Sequence, residues 1–101
     1  MKPVRFHEEA KRELAHEALY LAAVSPRLGE RFVAAIESAT QLAGEFPGIG
    51  SPYLLKTQRV FPPGRFRFSV VYIERQTEVY ILAIAPFSRK PGYWRKRRND
   101  A

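Results

Sequence analysis

Between Phe87 and Arg98 the chain carries Arg89, Lys90, Arg95, Lys96, Arg97 and Arg98 around the aromatic pair Tyr93-Trp94 and the break Pro91-Gly92. Cations of this kind stabilise the negative charge that builds on phosphoryl oxygens in a transition state. A tyrosine beside them is a candidate general acid or base. The same residues also bind without reacting: arginine forks carboxylates and phosphates, and aromatic rings stack on bases. The segment is too basic for a core and too aromatic for a solubilising tail alone. It is expected to meet something acidic, a polynucleotide or an acidic protein. Trp94 reads better as a plug for the end of the core than as a base-stacking platform.

Other chemistries lack their residues. Ser25 and Ser51 sit at a helix cap and a turn, outside any Gly-x-Ser-x-Gly context. Gly48 and Gly50 lie between prolines and open no phosphate-binding helix. His7 and His16 are two histidines in a chain with no cysteine, too few ligands for a zinc site, so no metal and no cofactor is expected. The absence of cysteine excludes disulfides and points to a cytosolic setting. The N-terminus shows no apolar signal region and no stretch approaches a bilayer span, so no membrane is involved. The acidic residues fall at helix-surface spacing and read as solvated.

The net charge of +7 is one-sided. Residues 1–52 carry six Lys and Arg against seven Asp and Glu, whereas residues 53–101 carry eleven against three. Such a field speeds encounter with anions. Arg59, Arg65 and Arg67 belong to that basic half, so the tail is one rim of a larger basic surface.

A scaffold must position these groups. With 101 residues, 46% of them hydrophobic, the chain is expected to form one domain over residues 1–101 with one core. Val4-Arg5-Phe6 starts it as a short extended piece. Ala10, Leu14, Ala18, Leu21 and Ala22 then recur at helical spacing, with Lys11, Arg12, Glu13, His16 and Glu17 read as the wet face. Ser25-Pro26 fits an N-cap followed by a first helical residue. The next stripe, Leu28, Phe32, Ala35, Ile36, Ala39, Leu42, Ala43 and Phe46, predicts a second helix antiparallel to the first, ended by Pro47-Gly48. Leu54–Phe61 is expected as one strand. Arg65–Glu74 alternates, with Phe66, Phe68, Val70 and Tyr72 facing the helices and Arg65, Arg67 and Ser69 facing away. Glu78–Ala85 reads as an interior strand. The predicted fold is α+β in the order β-α-α-β-β-β, a helix hairpin on one face of a small, mostly antiparallel sheet. The other face is either a basic concave surface or a plain wet face.

That order, with Leu28-Gly29-Glu30-Arg31-Phe32 opening the second helix, Phe46-Pro47-Gly48-Ile49-Gly50 closing it and Ser88-Arg89-Lys90-Pro91-Gly92-Tyr93-Trp94-Arg95 at the end, resembles the ParE/RelE toxin superfamily of type II toxin–antitoxin (plasmid stabilisation) modules. The resemblance covers nearly the whole chain. It implies a toxin neutralised by a cognate antitoxin whose C-terminal segment, expected to be acidic and amphipathic, wraps it in a hetero-oligomer. Operator DNA would be reached only through the antitoxin. In the RelE-like branch the target is mRNA on the ribosome, cut by an endoribonuclease. In the ParE-like branch it is DNA gyrase, inhibited by protein contact.

The nuclease branch has an arginine two residues before a Val-Tyr pair. Here the pair is Val71-Tyr72 and that position is Ser69, while Arg65 and Arg67 are out of register. The Pro91-Gly92-Tyr93-Trp94 ending is the ParE-like form, although Pro86 stands where many such members have histidine. The chain reads closer to ParE. Under the nuclease alternative the catalytic set would be Arg65, Arg67, Arg89 and Tyr93. Under either, the binding set would be Arg59, Arg65, Arg67, Arg89, Lys90, Tyr93, Trp94, Arg95, Arg97 and Arg98. A third reading keeps antitoxin binding with toxicity lost.

Overall fold

The computed structural model describes residues 1–100. Strand β1 is Val4–Phe6, helix α1 Glu8–Val24, helix α2 Pro26–Glu45, and strands β2 to β5 are Ser51–Tyr53, Thr57–Val60, Phe68–Glu74 and Val79–Pro86. The strands form one sheet in the order β1-β5-β4-β3-β2. β1 runs parallel to β5 and the other pairs are antiparallel. The two helices pack on one face, so the α+β reading and its helix hairpin hold.

His7 caps α1, its Nδ1 accepting from the Glu9 amide at 3.0 Å, and Glu8 and Glu9 follow in the first turn, where negative charge suits the exposed amides. Ser25 is the sole residue between the helices and does occupy the cap position before Pro26, but its side chain makes no capping bond. A connection this short forces a close crossing. A Cβ built on Gly29 would lie 2.9 Å from both the Ala18 carbonyl and the Ala22 methyl. The core between helices and sheet contains Phe32, Ile36, Ala39 and Ala43 from α2, and Val70, Tyr72, Val79, Ile81 and Ile84 from β4 and β5. Phe66 and Phe68 meet Phe32 edge-on at 5.2 and 5.1 Å, the face expected of them. The Tyr72 hydroxyl donates to the Pro47 carbonyl (2.8 Å) and accepts from the Gly50 amide (2.9 Å), pinning the loop after α2 to the sheet.

Two strands differ from expectation. Leu54–Phe61 is not one strand. β3 begins at Thr57, β2 precedes it, and between them Leu54–Lys56 forms a 3₁₀ turn with Leu55 and Lys56 in left-handed backbone (φ 58° and 61°). Leu54 and Leu55 read as strand residues by type, yet both are exposed. Their conformation costs of order 1–2 kcal/mol per residue, because the Cβ approaches a carbonyl oxygen. β4 begins at Phe68, three residues after the expected start. Pro62-Pro63 offers no amides for pairing and Gly64 turns the chain at φ 90°. Arg65 and Arg67 therefore precede the strand rather than line its face.

The far face of the sheet is not a plain wet face, and most of it is apolar rather than a broad basic concavity. Val71, Tyr80, Leu82, Ala83, Ala85 and Trp94 form a second core there, flanked by Tyr53, Ile73 and Tyr93. A bulge in β5 makes this possible. Ala83 pairs with Val71 and Ile81 with Tyr72, so Leu82 is the extra residue, and Leu82 and Ala83 both join the second core.

The helix crossing sets a test. Gly29→Ala is expected to lower unfolding free energy by about 1–3 kcal/mol through overpacking against α1. Gly48→Ala, with open space around the new methyl, should be neutral or stabilise by up to about 1 kcal/mol. Urea denaturation of both variants measures the contrast.

Candidate functional site

α1 has Ala10, Leu14, Ala18 and Leu21 against the core, and Glu13 falls three residues after Ala10 on nearly the same face. The sequence places it on the wet face; in the structure it is mostly buried. Its side chain is 17% exposed and that of Arg97 15%. Oε1 accepts from the Ile84 amide (3.0 Å) and Arg97 Nη1 (2.9 Å), while Oε2 accepts from the Tyr93 hydroxyl (2.6 Å) and Arg97 Nη2 (3.0 Å). Arg97 Nη1 also donates to the Leu82 carbonyl at 3.0 Å. β1 pairs with β5 only through Ile81. Beyond that point Glu13 and Arg97 take the edge groups of β5 that no strand covers, and the bulge at Leu82 presents one of them. One carboxylate thus ties helix, sheet and C-terminal segment together.

The tail is held at two further points. Trp94 is 1% exposed in the second core, with its ring 6.0 Å from that of Tyr53. His7 Nε2 bonds the Asp100 carboxylate, its Nδ1 being occupied by the α1 cap. Tyr93 is accordingly a fixed proton donor. Burial first, and the bond to Glu13 second, push its phenol well above a tyrosine's ordinary range. For Arg97, burial opposes the charge but the Glu13 contacts outweigh it, and its pKa is raised.

The predicted site residues fall into separate groups. Tyr93, Trp94 and Arg97 hold the tail to the body. Arg59 and Arg89 stack on aromatic rings, Arg59 over Tyr53 at 4.1 Å and Arg89 over Tyr93 at 3.9 Å. With Ser69, Lys90 and Trp94 they help to line a cavity of about 190 Å³. Ser69 is buried there, opposite Ala85 in the strand register. Arg67 lies over Phe87 at 5.6 Å and Arg65 is exposed in the turn before β4, so neither joins that cavity. Arg95 and Arg98 face another cleft, with Leu55 and Lys56.

The cavity can hold an anion but offers little for proton transfer. Of its two phenols, that of Tyr93 is committed to Glu13 and the ring of Tyr53 lies under the Arg59 guanidinium. His7 caps α1, and His16 is exposed on that helix. Among the described residues no cluster of three or more His, Cys, Asp or Glu could hold a metal ion. A third surface lies on the helix hairpin, a groove of about 750 Å³ lined by Leu19, Ala22, Gly29, Val33, Ala34 and others, with Leu19 and Val24 strongly exposed beside it. Among the described residues no helix is long and apolar enough to cross a membrane.

The clamp makes two predictions. Glu13→Ala leaves Arg97 buried without its partner and should cost about 3–5 kcal/mol of stability by chemical denaturation. Tyr93 binds its proton more tightly folded than unfolded. Its contribution is therefore complete below the ordinary pKa of 10.0 and declines as pH rises beyond it. Tyr72, also raised by burial, acts in the same direction. Melting temperatures taken from pH ~9 to ~11 should fall, and Tyr93→Phe should flatten that fall without abolishing it.

Comparison with known proteins agrees with this architecture. A family model described as the ParE toxin of the type II toxin–antitoxin system, parDE, matches residues 4–91. Among solved structures, one described as the chromosomal ParDE toxin–antitoxin system from P. aeruginosa superposes with a TM-score of 0.73 at 19% identity, covering 85% of this chain and 96% of that one. No curated protein matches the sequence. The match to the family model spans most of the chain, both helices and all five strands, and on that basis the chain belongs to the ParE toxin family of type II toxin–antitoxin systems.

Proposed function

We propose that this toxin acts by protein contact, inhibiting DNA gyrase, and that it does not cut RNA. The observation that carries this reading is the state of Tyr93. Its hydroxyl is held 2.6 Å from Glu13 and its proton is retained to high pH, which takes away the phenol that the nuclease reading assigns to acid–base work. Ser69 supports it further. It supplies a hydroxyl where the nuclease-like pattern has a guanidinium, and losing one such charge costs about 10²–10³ in rate. The remaining cations, Arg59, Arg89 and Lys90, suit a carboxylate as well as a phosphate.

The partner that neutralises the toxin is a cognate antitoxin acting in the cytoplasm. An amphipathic segment of it fits the helix-hairpin groove, where Leu19, Val24 and Val33 offer apolar contact. Its acidic side chains fit the cations at the cavity. The endoribonuclease alternative retains one favourable observation, the pairing of Arg89 with Tyr93 at 3.9 Å.

Two assays on the purified chain separate the readings. Gyrase supercoiling should be blocked with accumulation of cleaved DNA, while mRNA in a translation extract stays intact. Normal supercoiling at excess toxin defeats the proposal. Codon-positioned cleavage lost on Arg89→Ala would establish the alternative.

A further inference from the structure

A second basic concavity adjoins the Arg59–Arg89 cavity and shares no lining residue with it. The turn Leu54–Lys56 joins β2 to β3, and its two left-handed residues are a leucine and a lysine, where glycine or asparagine would be unstrained. The turn presents its leucines to solvent, Leu54 at 43% and Leu55 at 53% exposure. Strain in non-glycine backbone persists where the surroundings hold it, and it collects at functional sites. Beside the turn is a cleft of about 410 Å³ lined by Leu55, Lys56, Arg95, Arg98 and Asn99. No carboxylate lines it. Among the described residues Lys56, Arg95 and Arg98 pair with no acidic side chain, and the buried Nε of Arg98 has no hydrogen-bond partner. The guanidinium of Arg98 is thus not satisfied by the fold itself, and a carboxylate is the partner that suits such a fork.

We propose that this turn and cleft form the surface with which the toxin docks an acidic segment of its protein target. An apolar side chain of that segment packs against Leu55, and a neighbouring carboxylate meets Arg98 and Lys56. The inference rests on the reading that the toxin acts by protein contact, and it adds the place. Charge alone would admit a polynucleotide, but nucleic acid leaves Leu54 and Leu55 in water. The nearby rings give it no platform either, since Trp94 is buried and Tyr53 is covered by Arg59. The helices and their groove cover one face of the sheet, and the tail that carries Arg95 and Arg98 covers the other. An antitoxin that packs on the hairpin groove and sends its carboxylates to Arg59, Arg89 and Lys90 uses none of the residues that line this cleft.

The test uses the full chain with Leu55→Asn, which keeps a residue tolerant of left-handed backbone, and with Arg98→Gln. Each should weaken growth arrest and raise the toxin concentration needed to inhibit purified gyrase by about tenfold or more. Binding to the co-expressed cognate antitoxin should change by less than about twofold, since Leu55 and Arg98 line neither the hairpin groove nor the Arg59–Arg89 cavity. Arg12→Gln, an exposed charge on α1, should behave as wild type. If wild type leaves gyrase untouched but arrests growth, and both variants lose that arrest, the gyrase assignment falls and the docking surface stands. The proposal is overturned if the variants arrest growth like wild type, if they lose antitoxin binding instead, or if wild type arrests nothing. It is also overturned if wild type cleaves mRNA at a rate that Leu55→Asn does not alter.

Discussion

The two oxygens of Glu13 receive four donors, and most of what is particular to this fold depends on them. A carboxylate taken out of water must be paired and hydrogen-bonded or it costs several kcal/mol. Here the partners are three residues on two segments: Ile84 on β5, through its amide, and Tyr93 and Arg97 on the tail. Neither segment reaches the other by backbone pairing at that point. β1 ends where α1 must start, so the edge of β5 beyond Ile81 has no strand beside it. Side chains complete the ladder there, and the bulge at Leu82 turns a carbonyl toward Arg97. The arrangement satisfies β5 and anchors the tail with the same groups.

Anchoring the tail changes what its charges mean. A loose run of cations would be a polyanion-binding appendage. Folded against the second core, the run is sorted by geometry. Arg97 is spent on Glu13, Arg89 is laid over Tyr93, and Arg95 and Arg98 are left beside Lys56. Tyr93, the one residue that suggested acid–base chemistry, becomes a structural donor. The fold thus uses its aromatic and guanidinium groups first for cohesion and leaves a smaller set for recognition.

The surfaces that remain, one on the helices and two beside the tail, differ in character. The hairpin groove is apolar, the Arg59–Arg89 cavity is small and cationic, and the strained turn joins exposed leucines to unpaired cations. A toxin that must meet both a neutralising partner and a target needs separable surfaces of this sort. Rigid placement also suits binding, because aromatic stacking and the clamp fix the cations before a partner arrives.

The sequence by itself determined the helices, the helix-facing alternation of Phe66, Phe68, Val70 and Tyr72, the element order and the family resemblance. Those features are written in local periodicity and turn residues, and each can be read within one element. Leu54–Phe61 misled because leucine type favours a strand whether it ends buried or exposed, and only the tertiary turn places it outside. Arg65 and Arg67 fit the alternation too, but two prolines and a glycine delay pairing until Phe68. The tertiary structure alone decided that the second sheet face is a core, since a bulge within an all-apolar run leaves no trace in its pattern. It alone decided the role of Glu13. The sequence reads Glu13 as wet because a buried carboxylate is stable only if partners 71 to 84 residues away arrive to meet it, and no local pattern carries that information.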